Sequence, residues 1–263
     1  MNFVSYRELK KDVVEWSTRL PEFDAIVGVE RSGLLPATIL ALHLNKPLLT
    51  VNDLVYGLDK YIDSKVSIGE IEKVLVVDDS ISSGRAITKI KEALKGYSAK
   101  YGVVYGLPES RNLVDYMYKE VPLPRAFEWN LFHNEVLRDA VLDIDGVIFE
   151  EPPLEDNKQE YEEYLANPLP LYIPTVKVRG LVTGRLEKYR DITEITLKRY
   201  NIRYDFLVMA NYSTPQQRRV EDMGVAKANI YKTQGSLFIE SSKQQADTIR
   251  KETGKEVICI EEL

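Results

Sequence analysis

The feature that most constrains the fold is an alternation of short apolar runs with helix-patterned segments. In the first half, the runs typical of strands are FDAIVGVE, PLLTVNDLVY, KVLVVDD and KYGVVYGL. The segments with helical spacing include NFVSYRELKKDVVEWSTRL, SGLLPATILALHL and GRAITKIKEALKGY. Strands that alternate with helices predict a mainly parallel sheet with helices on both faces, so we expect an α/β fold.

The same alternation begins again near residue 140. The later strand sequences are DAVLDIDGVIF, VRGLVTG, YDFLVMANY, SLFIESS and EVICIEE, and LEKYRDITEITLKRYNI is typical of a long helix. A chain of 263 residues exceeds the usual size of one domain. We therefore predict two Rossmann-like α/β domains, residues 1–134 and 135–263, without an internal repeat. The acidic, proline-bearing stretch 150–170 is interpreted as an exposed connection with one short helix at most.

Composition narrows the classes of function. The formal net charge of −6 leaves no basic surplus for a nucleic-acid backbone, so we expect no nucleic-acid partner. The single cysteine, Cys259, excludes an internal disulfide and fits a reducing compartment. No segment approaches 18 consecutive apolar residues, so we expect a cytoplasmic protein without a transmembrane segment. The sequence leaves open whether the chain forms a homodimer.

The stretch VLVVDDSISSGRA, residues 74–86, ends a predicted strand on two carboxylates and continues into a loop of small residues. Ligands of parallel α/β sheets lie beyond the carboxyl ends of the strands, where Asp78 and Asp79 would project. The backbone N–H groups of such a loop, with the N-terminus of the next helix, can bind a phosphate. Carboxylates accept hydrogen bonds from vicinal hydroxyls, so a sugar phosphate would satisfy both parts. The alternative is an ordinary strand-to-helix turn with an N-cap.

A second strand-to-helix turn, VERSGLLPA at 29–37, offers Arg31 for phosphate oxygens and Gly33 for close backbone approach. Together the two turns resemble the type I phosphoribosyltransferase family, which uses 5-phosphoribosyl-1-pyrophosphate (PRPP), over roughly residues 1–132. The resemblance implies that Asp78 and Asp79 hold the ribose hydroxyls, Asp79 partly through magnesium, and that residues 29–33 take the pyrophosphate. The implied PRPP-binding residues are Arg31, Ser32, Gly33, Asp78, Asp79, Ser80, Ile81, Ser82, Ser83, Gly84, Arg85 and Ala86.

Some residues depart from the family's pattern. Ser82 and Ala86 stand where many members have Asp or Thr, and the segment that often forms a long lid is short. Tyr56, Lys60 and Tyr61 are candidates to close the site, with a plain surface loop as the alternative. Phe127 and Trp129 follow the last strand, where the family recognises the acceptor, although such aromatics are more often part of a core.

The stretch AVLDIDGVIF, residues 140–149, places Asp143 and Asp145 two residues apart at a strand end. Residues i and i+2 of a strand point the same way, so both carboxylates should face one spot. One could attack as a nucleophile while the other serves as general acid and base. A magnesium ion would offset their repulsion of a phosphate.

This stretch resembles the first motif of the haloacid dehalogenase (HAD) superfamily of phosphatases, over about residues 136–263. The resemblance implies a phosphoryl-binding hydroxyl at Thr183, a lysine at Lys232 or Lys227, with Lys232 slightly favoured, and an acidic metal ligand at Glu240. The implied metal ligands are Asp143, Asp145 and Glu240, and the cap domain would be minimal or absent. Arg185 and Lys188 are interpreted as helix-surface charges or as contacts to a bulky substrate.

The two motifs together predict a bifunctional enzyme. It would transfer phosphoribosyl from PRPP to an acceptor and then hydrolyse the 5-phosphate, and the candidate catalytic residues are Asp79, Asp143, Asp145, Thr183 and Lys232. A resemblance to bacterial ribofuranosyl-installing enzymes makes a glycan hydroxyl in surface-polysaccharide assembly the leading acceptor, with Asp79 or Glu30 as the base. The alternatives are a nucleoside-like product, from base salvage or stress-related biosynthesis, and a PRPP-sensing regulatory protein.

Overall fold

Two five-stranded sheets, each entirely parallel, form the framework of the computed structural model. The structure describes residues 1–56, 71–153, 157–212, 214 and 222–263. The chain divides into two units, Met1–Trp129 and Asn130–Leu263, a few residues before the predicted boundary. The predicted α/β fold with parallel sheets is confirmed. None of the described helices is long and apolar enough to cross a membrane.

The first unit builds its sheet from strands early in the chain. Its described strands are β1 (Asn2–Val4), β2 (Ala25–Gly28), β3 (Leu48–Thr50), β4 (Lys73–Ile81), β5 (Ser98–Gly106), β6 (Tyr116–Glu120) and β7 (Arg125–Phe127). Its described helices are α1 (Tyr6–Ser17), α2 (Leu34–Leu44), α3 (Val51–Tyr56) and α4 (Arg85–Ala93). The strand order is β3-β2-β4-β5-β6, and β1 pairs with β7 in a separate two-stranded sheet. Strand β4 is therefore central.

The N-terminal segment is not one helix, as its spacing predicted. Strand β1 comes first, and helix α1 begins only after Ser5. The Ser5 hydroxyl accepts a hydrogen bond from Glu8 N at 3.2 Å, and Ser5 N donates to the Glu8 carboxylate at 3.0 Å. This reciprocal capping box satisfies two backbone donors and sets the start of the helix.

The predicted strand PLLTVNDLVY is also divided. Strand β3 ends at Thr50, and the six-residue helix α3 follows. Thr50 N donates to the Asp53 carboxylate at 2.7 Å, while Asp53 N donates to the Thr50 hydroxyl at 3.1 Å. The polar pair thus caps a helix inside an apolar run, which a count of apolar residues does not register. The proposed lid residues Lys60 and Tyr61 lie outside the described residues.

The second unit repeats the architecture with other strands. Its described strands are β8 (Ala140–Leu142), β9 (Val178–Leu186), β10 (Tyr204–Ala210), β11 (Leu237–Glu240) and β12 (Glu256–Cys259). Its described helices are α5 (Lys158–Ala166), α6 (Arg190–Arg199), α7 (Met223–Tyr231) and α8 (Lys243–Thr253). The strand order is β10-β9-β8-β11-β12, with β8 at the centre.

Several predictions about the second unit need correction. Strand β8 ends at Leu142, so Asp143 and Asp145 lie beyond it and not within a long strand. The stretch 150–170 is not simply an exposed connection, since helix α5 buries Tyr161, Tyr164 and Leu165. Those residues recur at three- and four-residue spacing, which is the pattern of a packed helical face.

Candidate functional site

The C-terminal end of β4 and the loop that follows it line a cavity of about 120 Å³ in the first unit. The residues that line it are Asp78, Ser80, Ile81, Ser82, Ser83, Gly84, Arg85, Ala86, Ile87 and Val103. Apart from Ile87 and Val103, all of these belong to the motif singled out in the sequence. Asp78 therefore opens onto the same cavity as the small-residue loop.

Gly84 connects this loop to helix α4. Its φ of +72° lies in the left-handed region, where glycine is favoured, and a Cβ there would lie 2.5 Å from Leu113. The first turn of α4 contains no acidic residue. The helix N-terminus, which carries partial positive charge, therefore meets the cavity without an acidic residue in its own first turn, and Asp78 is the acidic residue among those that line the cavity.

The two adjacent aspartates have different surroundings. Burial, together with the Asp79 carboxylate, raises the pKa of Asp78 to about 8. Asp79 is buried, and its Oδ2 accepts a hydrogen bond of 2.7 Å from the indole Nε1–H of Trp129. The two carboxyl groups thus avoid carrying two negative charges at neutral pH.

The aromatic residues near the end of the first unit are partly core, as anticipated. Phe127 is buried, and Trp129 stacks on it with ring centroids 5.0 Å apart. Tyr6 tilts against the other side of the group at 5.9 Å from Trp129. The hydrogen bond from Trp129 to Asp79 was not foreseen, because the two residues are 50 positions apart.

The turn after β2 places the predicted pyrophosphate residues beside the central strand. Gly33 is buried, Ser32 is half-buried and Arg31 is exposed. A Cβ on Gly33 would lie 2.7 Å from both the Val29 and Val77 carbonyl oxygens. Only glycine allows this turn to approach the backbone of β4 so closely, so the two predicted PRPP-binding turns are neighbours.

In the second unit, a buried lysine joins two carboxylates at the ends of adjacent parallel strands. Lys227 Nζ lies 2.5 Å from Asp143 Oδ2 and 2.7 Å from Glu240 Oε2. Burial lowers the pKa of Lys227, but the two carboxylates outweigh this effect and raise it above 10.5. The ammonium therefore stays charged and orients both acids.

The structure places Lys227, and not the slightly favoured Lys232, beside Asp143. The Lys232 Nζ contacts Asn229 at 3.1 Å and Glu252 at 3.5 Å on the surface of the unit. Lys227 is five positions earlier on α7, where the helix faces the sheet. An informative signal was available in the sequence, since Lys227 sits between apolar residues that the helical period places on the buried side.

Asp145 does not share the spot that Asp143 occupies. The chain turns after β8, and Arg185 grips the Asp145 carboxylate with Nε at 3.0 Å and Nη2 at 2.6 Å. Tyr164 donates a further hydrogen bond to Asp145 at 2.7 Å. Arg185 lies within β9 with its side chain fully buried, so it is neither a helix-surface charge nor a residue open to a bulky substrate. The sequence offered no signal for Tyr164.

The predicted magnesium ligands do not converge. The Lys227 ammonium lies between Asp143 and Glu240, and Asp145 is taken by Arg185. Throughout the described ranges, no group of three or more His, Cys, Asp and Glu side chains could hold a metal ion. The arrangement therefore does not fit the predicted three-carboxylate magnesium site.

Thr183, the predicted phosphoryl-binding residue, lies on the strand beside β8. It is buried on β9, next to β8, and its hydroxyl oxygen accepts a hydrogen bond from Arg185 N at 3.2 Å. A threonine hydroxyl can donate as well as accept a hydrogen bond, as a phosphoryl-binding group must. Glu151 adds a carboxylate that the sequence interpretation omitted, since it accepts from the Ser241 hydroxyl at 3.1 Å.

Comparison with known proteins gives consistent matches to the first part of the chain. The model of the family described as "Phosphoribosyl transferase domain" matches residues 8–140. The xanthine-guanine phosphoribosyltransferase of Chromohalobacter salexigens is 34% identical over 124 residues, which cover 45% of this chain and 75% of that protein. "HGPRTase-like protein 1" of Haloarcula marismortui is 35% identical over 106 residues, or 35% of this chain and 58% of that protein.

The chain thus spans somewhat under two thirds of the length of that archaeal relative. Among solved structures, the Helicobacter pylori xanthine-guanine-hypoxanthine phosphoribosyltransferase is 19% identical, with a TM-score of 0.40, and the match covers 49% of this chain and 92% of that one. Likeness at this level carries no argument about activity.

Proposed function

Because the chain belongs to the phosphoribosyl transferase domain family, we propose that it transfers the 5-phosphoribosyl group of PRPP to a nucleobase and then removes the 5-phosphate in its second unit. The observation that carries the first step is the cavity formed by Asp78 and the loop from Ser80 to Ala86. It combines a carboxyl group for ribose hydroxyls with backbone donors for a phosphate.

A nucleobase is a better acceptor hypothesis than a glycan hydroxyl. The relatives are named for hypoxanthine, guanine, xanthine and orotate, all of which are nitrogen heterocycles. No relative among them is named for a polysaccharide. The nucleoside-forming alternative is therefore the one that we propose, and the ribofuranosyl-installing hypothesis receives no support of its own.

In the transfer step, a ring nitrogen of the base attacks C1 of the pentose. The C1–O bond to pyrophosphate breaks, pyrophosphate leaves with the electron pair, and the base loses a proton. The residues proposed to bind PRPP form two groups. Arg31 and the backbone of the turn through Gly33 would bind the pyrophosphate, and the loop after β4 would bind the 5-phosphate. Asp79, fixed by Trp129, would accept from a ribose hydroxyl. Magnesium remains a prediction for this step.

The second step is proposed for Asp143. Its carboxylate would attack the phosphorus of the nucleoside 5-phosphate, the ester oxygen would leave with a proton, and water would then hydrolyse the aspartyl phosphate. Burial raises the pKa of the Asp143 carboxyl, and the Lys227 ammonium 2.5 Å away opposes that rise, while Thr183 offers a hydroxyl to the phosphoryl oxygens. Asp145 is engaged by Arg185 and Tyr164, so water would supply the proton to the leaving oxygen. The HAD-like fold of this unit is part of the same proposal.

The test supplies PRPP with hypoxanthine, guanine, xanthine or orotate and follows pyrophosphate and orthophosphate separately. We expect pyrophosphate with at least one base, followed by orthophosphate and the free nucleoside. In Asp143→Asn we expect pyrophosphate and an accumulating nucleotide without orthophosphate.

The paired variant Asp78→Ala with Asp79→Ala is the complementary control. It should lose pyrophosphate release but still dephosphorylate a supplied nucleotide. Absence of pyrophosphate with every base, despite PRPP binding, would favour the PRPP-sensing alternative. Orthophosphate release that survives Asp143→Asn would remove the phosphatase assignment.

A further inference from the structure

A buried arginine lies behind the phosphate loop of the first unit. Arg125 is 8% exposed, and its guanidinium donates to the Ile81 carbonyl oxygen at 2.8 Å and to the Val121 carbonyl oxygen at 3.0 Å. Its guanidinium also lies 5.4 Å from the centre of the Phe127 ring. Among the described residues, no carboxylate forms an ion pair with it, although the charges of Asp79 and Glu109 act on it from farther away, so its direct hydrogen-bond partners are neutral carbonyl oxygens.

A second buried side chain holds the next carbonyl of the same loop. Ser110, fully buried on the turn Pro108–Leu113, donates from its hydroxyl to the Ser82 carbonyl oxygen at 2.5 Å. Neither Arg125 nor Ser110 lines the cavity, although Ile81 and Ser82 do. The two donors therefore hold these carbonyl oxygens from outside the cavity lining.

The direction of these bonds determines where the loop's own donors point. The peptide bonds after Ile81 and Ser82 are trans, and in a trans peptide the C=O and N–H groups point in opposite directions. Drawing the Ile81 oxygen toward Arg125 turns the N–H of Ser82 away from it. Drawing the Ser82 oxygen toward Ser110 does the same for the N–H of Ser83. Consecutive N–H groups are thereby presented together, as in an anion-binding nest.

The positive charge of Arg125 would also favour a phosphate in the cavity. A guanidinium cannot lose its proton near neutral pH, and in a buried setting its field is weakly screened by solvent. A phosphate in the cavity would meet the N–H groups of the loop in front and the Arg125 cation behind them. The carbonyl of Ile81, bonded to that cation, is polarised, which strengthens the donor on the same peptide unit.

We propose that Arg125 is a positioning residue for the 5-phosphate of PRPP, acting through the Ile81 carbonyl, and that Ser110 assists it through the Ser82 carbonyl. The assignment rests on the proposed function for the identity of the ligand, but the anion-binding role of the loop can be tested by itself. Arg125 does not touch the ligand.

The test measures binding of PRPP, pyrophosphate and inorganic phosphate to folded Arg125→Met, Arg125→Lys and Ser110→Ala by calorimetry. A hydrogen bond to a charged group is worth enough to change an affinity about tenfold or more, so we expect Arg125→Met to weaken PRPP at least about tenfold. Arg125→Lys keeps the positive charge but lacks the two-pronged guanidinium, so its PRPP affinity should lie between those of Arg125→Met and the wild type. Ser110→Ala should give a smaller loss. Pyrophosphate, bound at the other turn, should be unaffected.

Arg111→Met is the matched control, because Arg111 is an exposed arginine 3.9 Å from Glu120 and outside the cavity lining. It should bind all three ligands as the wild type does. Amide NMR provides a second readout: phosphate should shift the N–H resonances of Ser82 and Ser83 in the wild type, and less in Arg125→Met.

Each outcome is decisive. If Arg125→Met binds PRPP as tightly as the wild type, or if its affinity for pyrophosphate falls as much as its affinity for PRPP, the positioning role is wrong. If the wild type binds phosphate at these amides but turns over no base, the proposed function fails and the inference stands. If neither PRPP nor phosphate shifts the loop amides, both fail. Should Arg125→Met not fold, Arg125→Lys and Ser110→Ala carry the same comparison.

Discussion

Replacing Lys227 by methionine removes the only ammonium that the structure places between Asp143 and Glu240, within the part of the chain that it describes. The lysine and glutamate side chains are 2% and 0% exposed, and that of the aspartate is 7% exposed. Methionine has a similar length, so the change removes charge with little loss of volume. Two carboxylates are then left buried without a counter-ion.

The magnitude follows from this burial. Breaking one partner out of a buried ion pair costs about 3–5 kcal/mol, because the remaining charge is neither solvated nor paired. With a urea m-value of about 2 kcal/mol/M, the unfolding midpoint of the second unit should fall by about 2 M. Because unpaired buried carboxylates take up protons, the loss should be larger at pH 8 than at pH 5.

In the wild type, the stabilisation that Lys227 provides changes only at high pH. The folded-state pKa of Lys227 lies above 10.5, so the stabilisation by its ammonium is fully present below pH 10.5 and is lost only at higher pH. The wild type should therefore show no change from this group between pH 5 and 8.

The assay can separate the units. Both tryptophans, Trp16 and Trp129, belong to the first unit, so fluorescence follows that unit while far-UV circular dichroism follows both. Lys232→Met is the matched control, because Lys232 contacts only exposed partners, and its effect should stay within about 0.5 kcal/mol. Equal midpoints for Lys227→Met and Lys232→Met would refute the reasoning, and a fluorescence transition that moves with the variant would show that the effect is not local.

Three further predictions concern single side chains. Asp78→Asn should stabilise the protein by a few kcal/mol above pH 8 and should have no effect near pH 4, because the pKa of Asp78 is raised to about 8 in the folded state and the wild type therefore loses stability as pH rises toward that value. Thermal unfolding of both proteins against pH measures this, and a difference that does not depend on pH would contradict it. Arg185→Lys should cost about 2–4 kcal/mol in urea unfolding, since an ammonium cannot reproduce the forked contact with Asp145; wild-type stability would disprove the buried pair. Gly33→Ala should weaken PRPP binding at least about tenfold, because the new Cβ would lie 2.7 Å from two carbonyl oxygens. Gly96→Ala is the control, since its Cβ meets nothing within 4 Å, and equal PRPP affinities of the two variants would refute the crowding argument.

The sequence predicted most of the framework because strand and helix patterns are local. The apolar runs of β2, β4, β5 and β9 were assigned correctly from their residues, and the parallel sheets followed from their alternation with helices. Errors arose where a polar pair overrode an apolar run. Thr50 and Asp53 cap a helix within a predicted strand, and Ser5 with Glu8 delays the first helix.

The candidate site, too, was predictable only in part from the sequence. Motif spacing alone predicted that Asp78 and Asp143 belong to sites near the carboxyl ends of two strands, and the structure places Asp78 within β4 and Asp143 directly after β8. Only the folded arrangement decided their partners, because Trp129 is 50 positions from Asp79 and Lys227 is 84 from Asp143. A hydrogen bond or an ion pair depends on distances of a few ångströms between remote segments, and those distances are set by packing rather than by any local pattern of residues.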